Sequence, residues 1–336
     1  MEEMLKVENL SISFRTDEGM IHPVQGVSFS VYKGKTLGIV GESGSGKSIS
    51  TKALMRLLPG TAILGEDTHM RYQAKNGDLV DIEKLKLRSR QLRDLRGGEI
   101  GMIFQEPMAS FSPVYTVGNQ MIEAIRLHTD KRKKEAREFA IEMLDKVGIS
   151  NPSQRIDQYA HEMSGGMRQR AMIALTLSAG PQLLIADEPT TALDVTIQAQ
   201  VLELMSDLQR DLGMGMIFIT HDLGVISHIA DEVAVMYLGT IVERGATRDI
   251  IRNPMHPYTE GLLEAIPKLD QLTHRLSPVP GDIPSPYARP SGCPFQTRCA
   301  KKIAGLCDQE TPTETVVEEG RSVACWLYTE KGRSAA

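Results

Sequence analysis

The sequence predicts an α/β fold, a largely parallel sheet with helices between its strands. Three observations predict it. The stretch Gly41-Glu42-Ser43-Gly44-Ser45-Gly46-Lys47-Ser48 reads G-x-x-x-x-G-K-S. It sits between a strand-type apolar run, Thr36 to Val40, and a stretch of helix-compatible spacing, Ile49 to Leu58. Further buried-type runs each end in polar or charged side chains: Ile100 to Phe104 before Gln105-Glu106-Pro107, Leu183 to Ala186 before Asp187-Glu188, and Met216 to Thr220 before His221-Asp222. Between the runs lie amphipathic or apolar helical stretches at 117–128, 130–147 and 167–178. Open α/β sheets bind ligands beyond the carboxyl ends of their strands, where these polar residues would stand.

The strand–loop–helix context makes the glycine-rich stretch a phosphate site. Gly41, Gly44 and Gly46, with Ser43 and Ser45 between them, let the backbone wrap with its N–H groups pointing inward. The helix that follows adds its positive end. Lys47 can reach the β- and γ-phosphates of a nucleotide, and Ser48 can ligate Mg²⁺. Asp187 fits the outer Mg²⁺ ligand that such sites need, and Glu188 fits a base that orients or deprotonates water. His221 could donate to a γ-phosphate, although a lone histidine is usually structural. Met163-Ser164-Gly165-Gly166-Met167 opens the helix 167–178. Ser164 is a good N-cap, and the two glycines read either as a second anion-binding helix start or as plain close packing.

Taken in order, residues 5–32 alternate apolar and polar around the turn Asp17-Glu18-Gly19, the pattern of antiparallel strands. Phe14 ends the first run, by default as a half-buried strand residue, otherwise as a flat face for a nucleotide base. Pro59-Gly60 stops the first helix, and residues 70–82 read as a strand pair around Asn76-Gly77. Residues 83–96 are charged and read as a solvated helix. Thr129 or Asp130 is expected to cap the helix 130–147, and Gly148 to end it. Val233 to Met236 and Thr240 to Glu243 form an expected edge hairpin turning at Leu238-Gly239. Beyond about residue 251 prolines recur, at 254, 257, 267, 278, 280, 284, 286, 290 and 294, as in a loop-rich appendage rather than more of the sheet.

The chain has 336 residues, room for two domains or one large domain with an extension. Its net charge of −5 gives no basic field to draw in nucleic acid. The basic run Lys131 to Lys134 is followed by Glu135, Glu138 and Glu142, as on a solvated helix start. Met1-Glu2-Glu3-Met4 has no apolar segment of a secretory signal, and no run of 18 or more apolar residues occurs. The expectation is a peripheral subunit if the protein serves a membrane. All four cysteines lie in Cys293-x5-Cys299-x7-Cys307-x17-Cys325, a cluster that suggests a metal site before disulfides in a reducing compartment. Four thiolates could hold tetrahedral Zn²⁺ or a [4Fe–4S] cluster, and the spacing has none of the C-x2-C pairs common in zinc ribbons.

Together the phosphate loop, Gln105, Ser164-Gly165-Gly166, Asp187-Glu188, Ala192-Leu193-Asp194 and His221 resemble the motif set of ATP-binding-cassette (ABC) ATPases, in that family's order. Asn253-Pro254-Met255-His256-Pro257-Tyr258-Thr259 and the cysteine-bearing tail make the full length look like an ATPase subunit of oligopeptide/dipeptide importers. The resemblance implies a P-loop NTPase (RecA-like) core with an antiparallel β subdomain, a helical subdomain at about 108–163 and a C-terminal extension. The cassette would span 1–250 and the extension 251–336. It implies that Phe14 stacks on adenine, Lys47 and Ser48 hold phosphates and Mg²⁺, and Gln105 touches Mg²⁺ or the attacking water. Glu188 would be the catalytic base and His221 a γ-phosphate contact. Ser164, Gly165 and Gly166 would complete the nucleotide site of an opposing subunit in a head-to-tail dimer, and Asp194 would be a nucleotide-binding residue. The family signature L-S-G-G-Q is Met163-Ser164-Gly165-Gly166-Met167 here, which keeps the phosphate-facing part.

Relatives in that branch usually pair with a second, different ATPase subunit, and some carry [4Fe–4S], so the resemblance orders the cysteine site as iron–sulfur, then an empty or oxidised site, then zinc. The implied partners are that subunit, two transmembrane permease subunits and an extracytoplasmic binding protein, at the cytoplasmic face of the membrane. The cargo stays open among di- and oligopeptides, nickel, glutathione and sugars. The competing class, a soluble cassette ATPase acting on DNA or ribosomes, predicts coiled-coil inserts or a second cassette, and neither occurs in this chain. A P-loop kinase or GTPase would lack Ser164-Gly165-Gly166.

Overall fold

The computed structural model describes residues 2–105, 110–191, 193–266 and 279–335. Glu106-Pro107, Ala192, Pro267 and Pro278 lie outside these residues. The chain divides into two compact units, one of residues 1–5, 31–35 and 71–219, the other of residues 6–30, 36–70 and 220–336.

In the first unit the strand Leu183–Asp187 is the centre of a parallel set. Ile100–Ile103 pairs on one side of it and Gly215–Thr220 on the other. All three strands are buried along their whole length. That explains their unbroken apolar runs, since a parallel strand is covered on both faces. The helices Val117–His128, Lys133–Lys146 and Gly165–Ser178 pack on one another. Val117–His128 matches its sequence expectation at both ends. The next helix begins at Lys133, not at a Thr129 or Asp130 cap. The Glu135 carboxylate accepts from the Arg132 N–H at 2.7 Å and caps the helix from within its first turn. The stretch 83–96 is only partly helical: a 3₁₀ turn at Ile82–Lys84 and a short helix at Arg90–Leu95 capped by Ser89. The strands His69–Gln73 and Leu79–Asp81 pair antiparallel, with Gly77 at φ +85° in the turn between them.

The long strands Glu3–Thr16 and Gly19–Tyr32, whose residues 6–16 and 19–30 belong to the second unit, neighbour each other across the Asp17-Glu18 turn. Ala62–Leu64 pairs antiparallel with Ile12, Ser13 and Phe14. The strand Thr36–Val40 is wholly buried and runs parallel to Glu232–Tyr237. The latter forms the expected hairpin with Thr240–Ala246, turning at Leu238 and Gly239, both with positive φ. This hairpin is not an edge. Arg321–Val323 pairs antiparallel with Thr240–Ala246, and Thr315–Glu318 pairs in turn with Arg321–Val323. The C-terminal extension, otherwise loop-rich, therefore lengthens the sheet by two short strands.

The extension is fastened by a buried aromatic group and a buried carboxylate. Tyr237, Tyr258 and Phe295 meet with ring centroids 4.7, 5.2 and 5.4 Å apart. Glu243, 1% exposed, accepts from the N–H groups of Met255 and His256, each at 2.9 Å, and from the Arg321 guanidinium at 3.3 Å.

Candidate active site

The phosphate loop lies in the second unit. It leaves the strand Thr36–Val40 and runs into the helix Lys47–Leu54, whose N-cap is Gly46 at φ +99°. The helix ends at Leu54, one turn short of the Leu58 expected. A Cβ on Gly41 would stand 2.1 Å from the Met236 carbonyl oxygen, and one on Gly46 2.4 Å from the Pro23 carbonyl oxygen. No side chain fits at either position, so the glycines are required by close approach as well as by conformation. Lys47 is 4% exposed, and its Nζ donates to the carbonyl oxygens of Gly41 at 2.7 Å and Glu42 at 3.0 Å. The ammonium is thus laid along its own loop. Ser45 is 3% exposed, and its Oγ finds no hydrogen-bond partner among the described residues. A buried hydroxyl without a partner is costly unless a ligand supplies one. A phosphate oxygen meets that need, so the loop fits a nucleotide triphosphate.

The carboxylates lie in the first unit. Asp187, 2% exposed, ends its strand. Glu188 follows at φ +47°, a left-handed backbone conformation rare for a glutamate, and its N–H donates to the Ile219 carbonyl at 3.0 Å. Strain of this kind concentrates at functional sites, where it aims a side chain. The Glu188 Oε2 accepts from Gln105 Nε2 at 3.2 Å and Thr191 Oγ1 at 3.0 Å. Gln105 and Glu188, 83 residues apart in the sequence, are therefore joined, and Thr191 is a member that the sequence reading did not name. The Ser48 hydroxyl, the Gln105 amide and the Asp187 carboxylate all offer the hard oxygen donors that suit Mg²⁺.

Ser164 caps the helix Gly165–Ser178 by accepting from the Met167 N–H at 3.4 Å. Ser164 and Gly165 are exposed. Asp194 caps the helix Val195–Leu212 in the same way, accepting from the Ile197 N–H at 2.9 Å, beside an 83% exposed Val195. Both motifs thus present a capped helix start on the outside of their unit. In the second unit, Phe14 is half-buried in its strand. His221 is exposed in the turn where Asp222 caps the helix Leu223–Ile229.

Of the four cysteines, Cys293, Cys307 and Cys325 are buried and Cys299 is half-buried. Burial raises the Cys299 thiol and pushes Cys293 to about 11 and Cys325 to about 12, with the neighbouring cysteines adding to each shift. These three shifts all favour the protonated thiol, which a bound cation would have to reverse. Among the described residues, no group of three or more His, Cys, Asp or Glu stands ready to hold a metal ion. Residues that the sequence reading passed over join the tail to the phosphate loop. Arg298 pairs with Glu42 through both nitrogens, at 2.6 and 3.0 Å, and the Tyr258 hydroxyl accepts from the Glu42 N–H at 2.8 Å.

The model of the ABC transporter family matches residues 24–191, and that of the oligopeptide/dipeptide transporter C-terminal region matches residues 242–307. The chain is similar to the dipeptide transport ATP-binding protein DppD of Bacillus subtilis (strain 168). They are 46% identical over 335 residues, covering 100% of this chain and 98% of the relative. It is also similar to the oligopeptide transport ATP-binding protein AppD of the same organism, 45% identical and covering 99% of each chain. Among solved structures, the ATP-binding cassette MJ0796 bound to ADP and Pi aligns with a TM-score of 0.63 at 23% identity, over 73% of this chain and 99% of that one. The cbiO1 subunit from Clostridium perfringens aligns with a TM-score of 0.62 at 25% identity, over 75% of this chain and 92% of that one.

Proposed function

The chain belongs to the ABC transporter family of ATP-binding subunits, and from that premise we propose that it is the ATP-hydrolysing motor of a di- or oligopeptide importer. The observation that carries the assignment of its base is the Glu188 carboxylate, set by a positive φ at a strand end and held on one oxygen by Gln105 and Thr191. A carboxylate fixed in this way orients an attacking water and takes its proton. The water oxygen bonds to the γ-phosphorus, the bond to the β–γ bridging oxygen breaks, and ADP and phosphate leave. Catalysis is positioning and charge stabilisation, with no covalent enzyme intermediate. Lys47 swings from the Gly41 and Glu42 carbonyls to the β- and γ-phosphates, and the Ser45 hydroxyl and the loop N–H groups of Ser43, Gly44 and Gly46 meet phosphate oxygens. Ser48, Gln105 and Asp187 would hold Mg²⁺, which would supply positive charge to offset that of the phosphate oxygens. Phe14 stacks on adenine, and His221 contacts the γ-phosphate.

Ser164, Gly165 and Gly166 serve the nucleotide of a second ATPase subunit, a different chain in this branch, and Asp194 is assigned to nucleotide binding. The exposure of Ser164, Gly165 and Asp194 on capped helix starts supports the reading. The cassette is assigned to 1–250, with its helical part at about 108–163, and the importer-type extension to 251–336. Two transmembrane permease subunits and an extracytoplasmic binding protein complete the machine. The motor is peripheral on the cytoplasmic face of the membrane, and no helix among the described residues is long and apolar enough to cross one. The four thiols of Cys293, Cys299, Cys307 and Cys325 are assigned to a structural [4Fe–4S] clamp, which would form only as the cluster draws them together and would take no part in hydrolysis. The Cys293 N–H donates to the Cys307 carbonyl at 2.8 Å, which brings two of the four together and supports this reading.

Glu188→Gln keeps the size and the hydrogen bonds of the side chain and removes its basicity. The expected result is loss of turnover with ATP retained in a stable dimer of the ATPase subunits. Hydrolysis at the wild-type rate by this variant would refute the assignment of the base.

A further inference from the structure

We propose that the C-terminal extension completes the phosphate loop, with Arg298 and Tyr258 as positioning residues that act on Lys47 through Glu42. The inference rests on the reading of Gly41 to Ser48 as the ATP-binding loop. Glu42 is the first of the four variable positions in that motif and has no assigned role in it. In this chain each of its polar groups is committed. Its N–H donates to the Tyr258 hydroxyl at 2.8 Å. Its carbonyl oxygen accepts from Lys47 Nζ at 3.0 Å. Its carboxylate takes both terminal nitrogens of Arg298, at 2.6 and 3.0 Å. Two of the three partners belong to the extension, and the third is the phosphate-binding lysine.

The side that holds Glu42 is rigid. The Arg298 side chain is 3% exposed and lies 5.7 Å from the Tyr237 ring centroid and 5.8 Å from that of Phe295. Its Nε donates to the Pro280 carbonyl at 2.9 Å, and Nη2 donates also to the Val279 carbonyl at 3.0 Å. The guanidinium fork is thus fixed in the plane in which it meets the carboxylate. Tyr258 is fully buried in the same aromatic group, and burial holds its hydroxyl far above the ordinary phenol range, so it stays neutral. A loop held in this way meets ATP already ordered. A loop without the clasp must order as ATP binds, and that cost falls on affinity. The clasp is made before binding and kept through the reaction, so its loss raises KM and leaves kcat nearly unchanged.

The test uses the full-length protein, a fluorescent ATP analogue for equilibrium binding, and KM and kcat in the assembled transporter. Arg298→Met and Glu42→Gln are each expected to weaken nucleotide binding and raise KM by about tenfold. The double variant should be no weaker than either single one, because both remove the same pair. Tyr258→Phe deletes one hydroxyl from an intact core and should weaken binding about threefold. If Arg298→Met fails to fold, Glu42→Gln and Tyr258→Phe carry the test. Binding within about twofold of wild type in both of these, with only the melting temperature lowered, shows an anchor for the extension and overturns the proposal. Additive losses in the double variant overturn it as well. Lys47→Ala separates the two levels: if that variant binds ATP normally, the reading of the loop itself has failed.

Discussion

His256 offers a direct measure of how the extension is held. It caps the helix Pro257–Glu264, with Nδ1 accepting from the Tyr258 N–H at 3.0 Å. It is 1% exposed, and burial lowers its pKa to about 3. Its neighbours include the Glu243 carboxylate, which takes its backbone N–H at 2.9 Å and is itself paired with Arg321, and the Phe295 ring at 5.7 Å. In the unfolded chain a histidine titrates near 6.5. Between about 6.5 and 3 the unfolded form therefore binds a proton that the folded form refuses. The stability is fully present above the unfolded value and is lost as the pH falls toward the folded one. The slope is about 1.4 kcal/mol per pH unit, so roughly 2 kcal/mol is lost between pH 7 and pH 5. His256→Asn places an acceptor at the same cap without a group that titrates in this window. Urea unfolding followed by the emission of Trp326, the single tryptophan and part of the extension, reads the difference. Wild type should lose about 2 kcal/mol more than the variant from pH 7 to pH 5. Parallel pH profiles would show that His256 is not held neutral by burial and would refute the argument.

Two further predictions concern the same region. Glu243→Ala strands the N–H groups of Met255 and His256 and the Arg321 guanidinium in a buried site. It should cost about 3–5 kcal/mol in the Trp326 unfolding transition, the range for breaking a buried ion pair by removing one partner. A loss under about 1 kcal/mol, the value of an exposed pair, would mean that water reaches the site. Anaerobically purified protein should be brown and absorb near 400 nm (roughly, as for protein-bound iron–sulfur clusters), and Cys325→Ser should bleach it. A colourless wild-type protein holding stoichiometric zinc would refute the iron–sulfur clamp.

The place of the phosphate loop between a buried strand and a helix was legible because its determinants are local. A phosphate loop is eight consecutive residues, and the strand before it announces itself by an apolar run. The ends of the buried strands were legible for the same reason: Leu183 to Ala186 can only be interior, so Asp187 and Glu188 must mark where the strand leaves it. The link from Gln105 to Glu188 spans 83 residues, and the sequence gives no hint that Thr191 shares the same oxygen.

The extension was misread where the information is not local. The strands Thr315–Glu318 and Arg321–Val323 have four and three residues, too few to show a period of two. Val316 is 74% exposed, which further blurs the alternation. What makes them strands is the free side of Thr240–Ala246, about eighty residues upstream, and an edge with unpaired backbone groups will recruit a partner. Arg298 was lost for a related reason. Among loops rich in proline an arginine reads as a solvated charge, and the sequence does not reveal that two aromatic rings and two carbonyls take it out of water. The usable signal was its setting, Cys293-Pro294-Phe295-Gln296-Thr297-Arg298-Cys299, where apolar and thiol residues flank the cation at both ends. A charge framed by residues that prefer burial needs a countercharge. In this chain that countercharge is Glu42 of the phosphate loop, 256 residues away in the sequence. The same pairing removes two desolvated charges from water together, so neither Arg298 nor Glu42 can be changed alone without leaving the other unmatched.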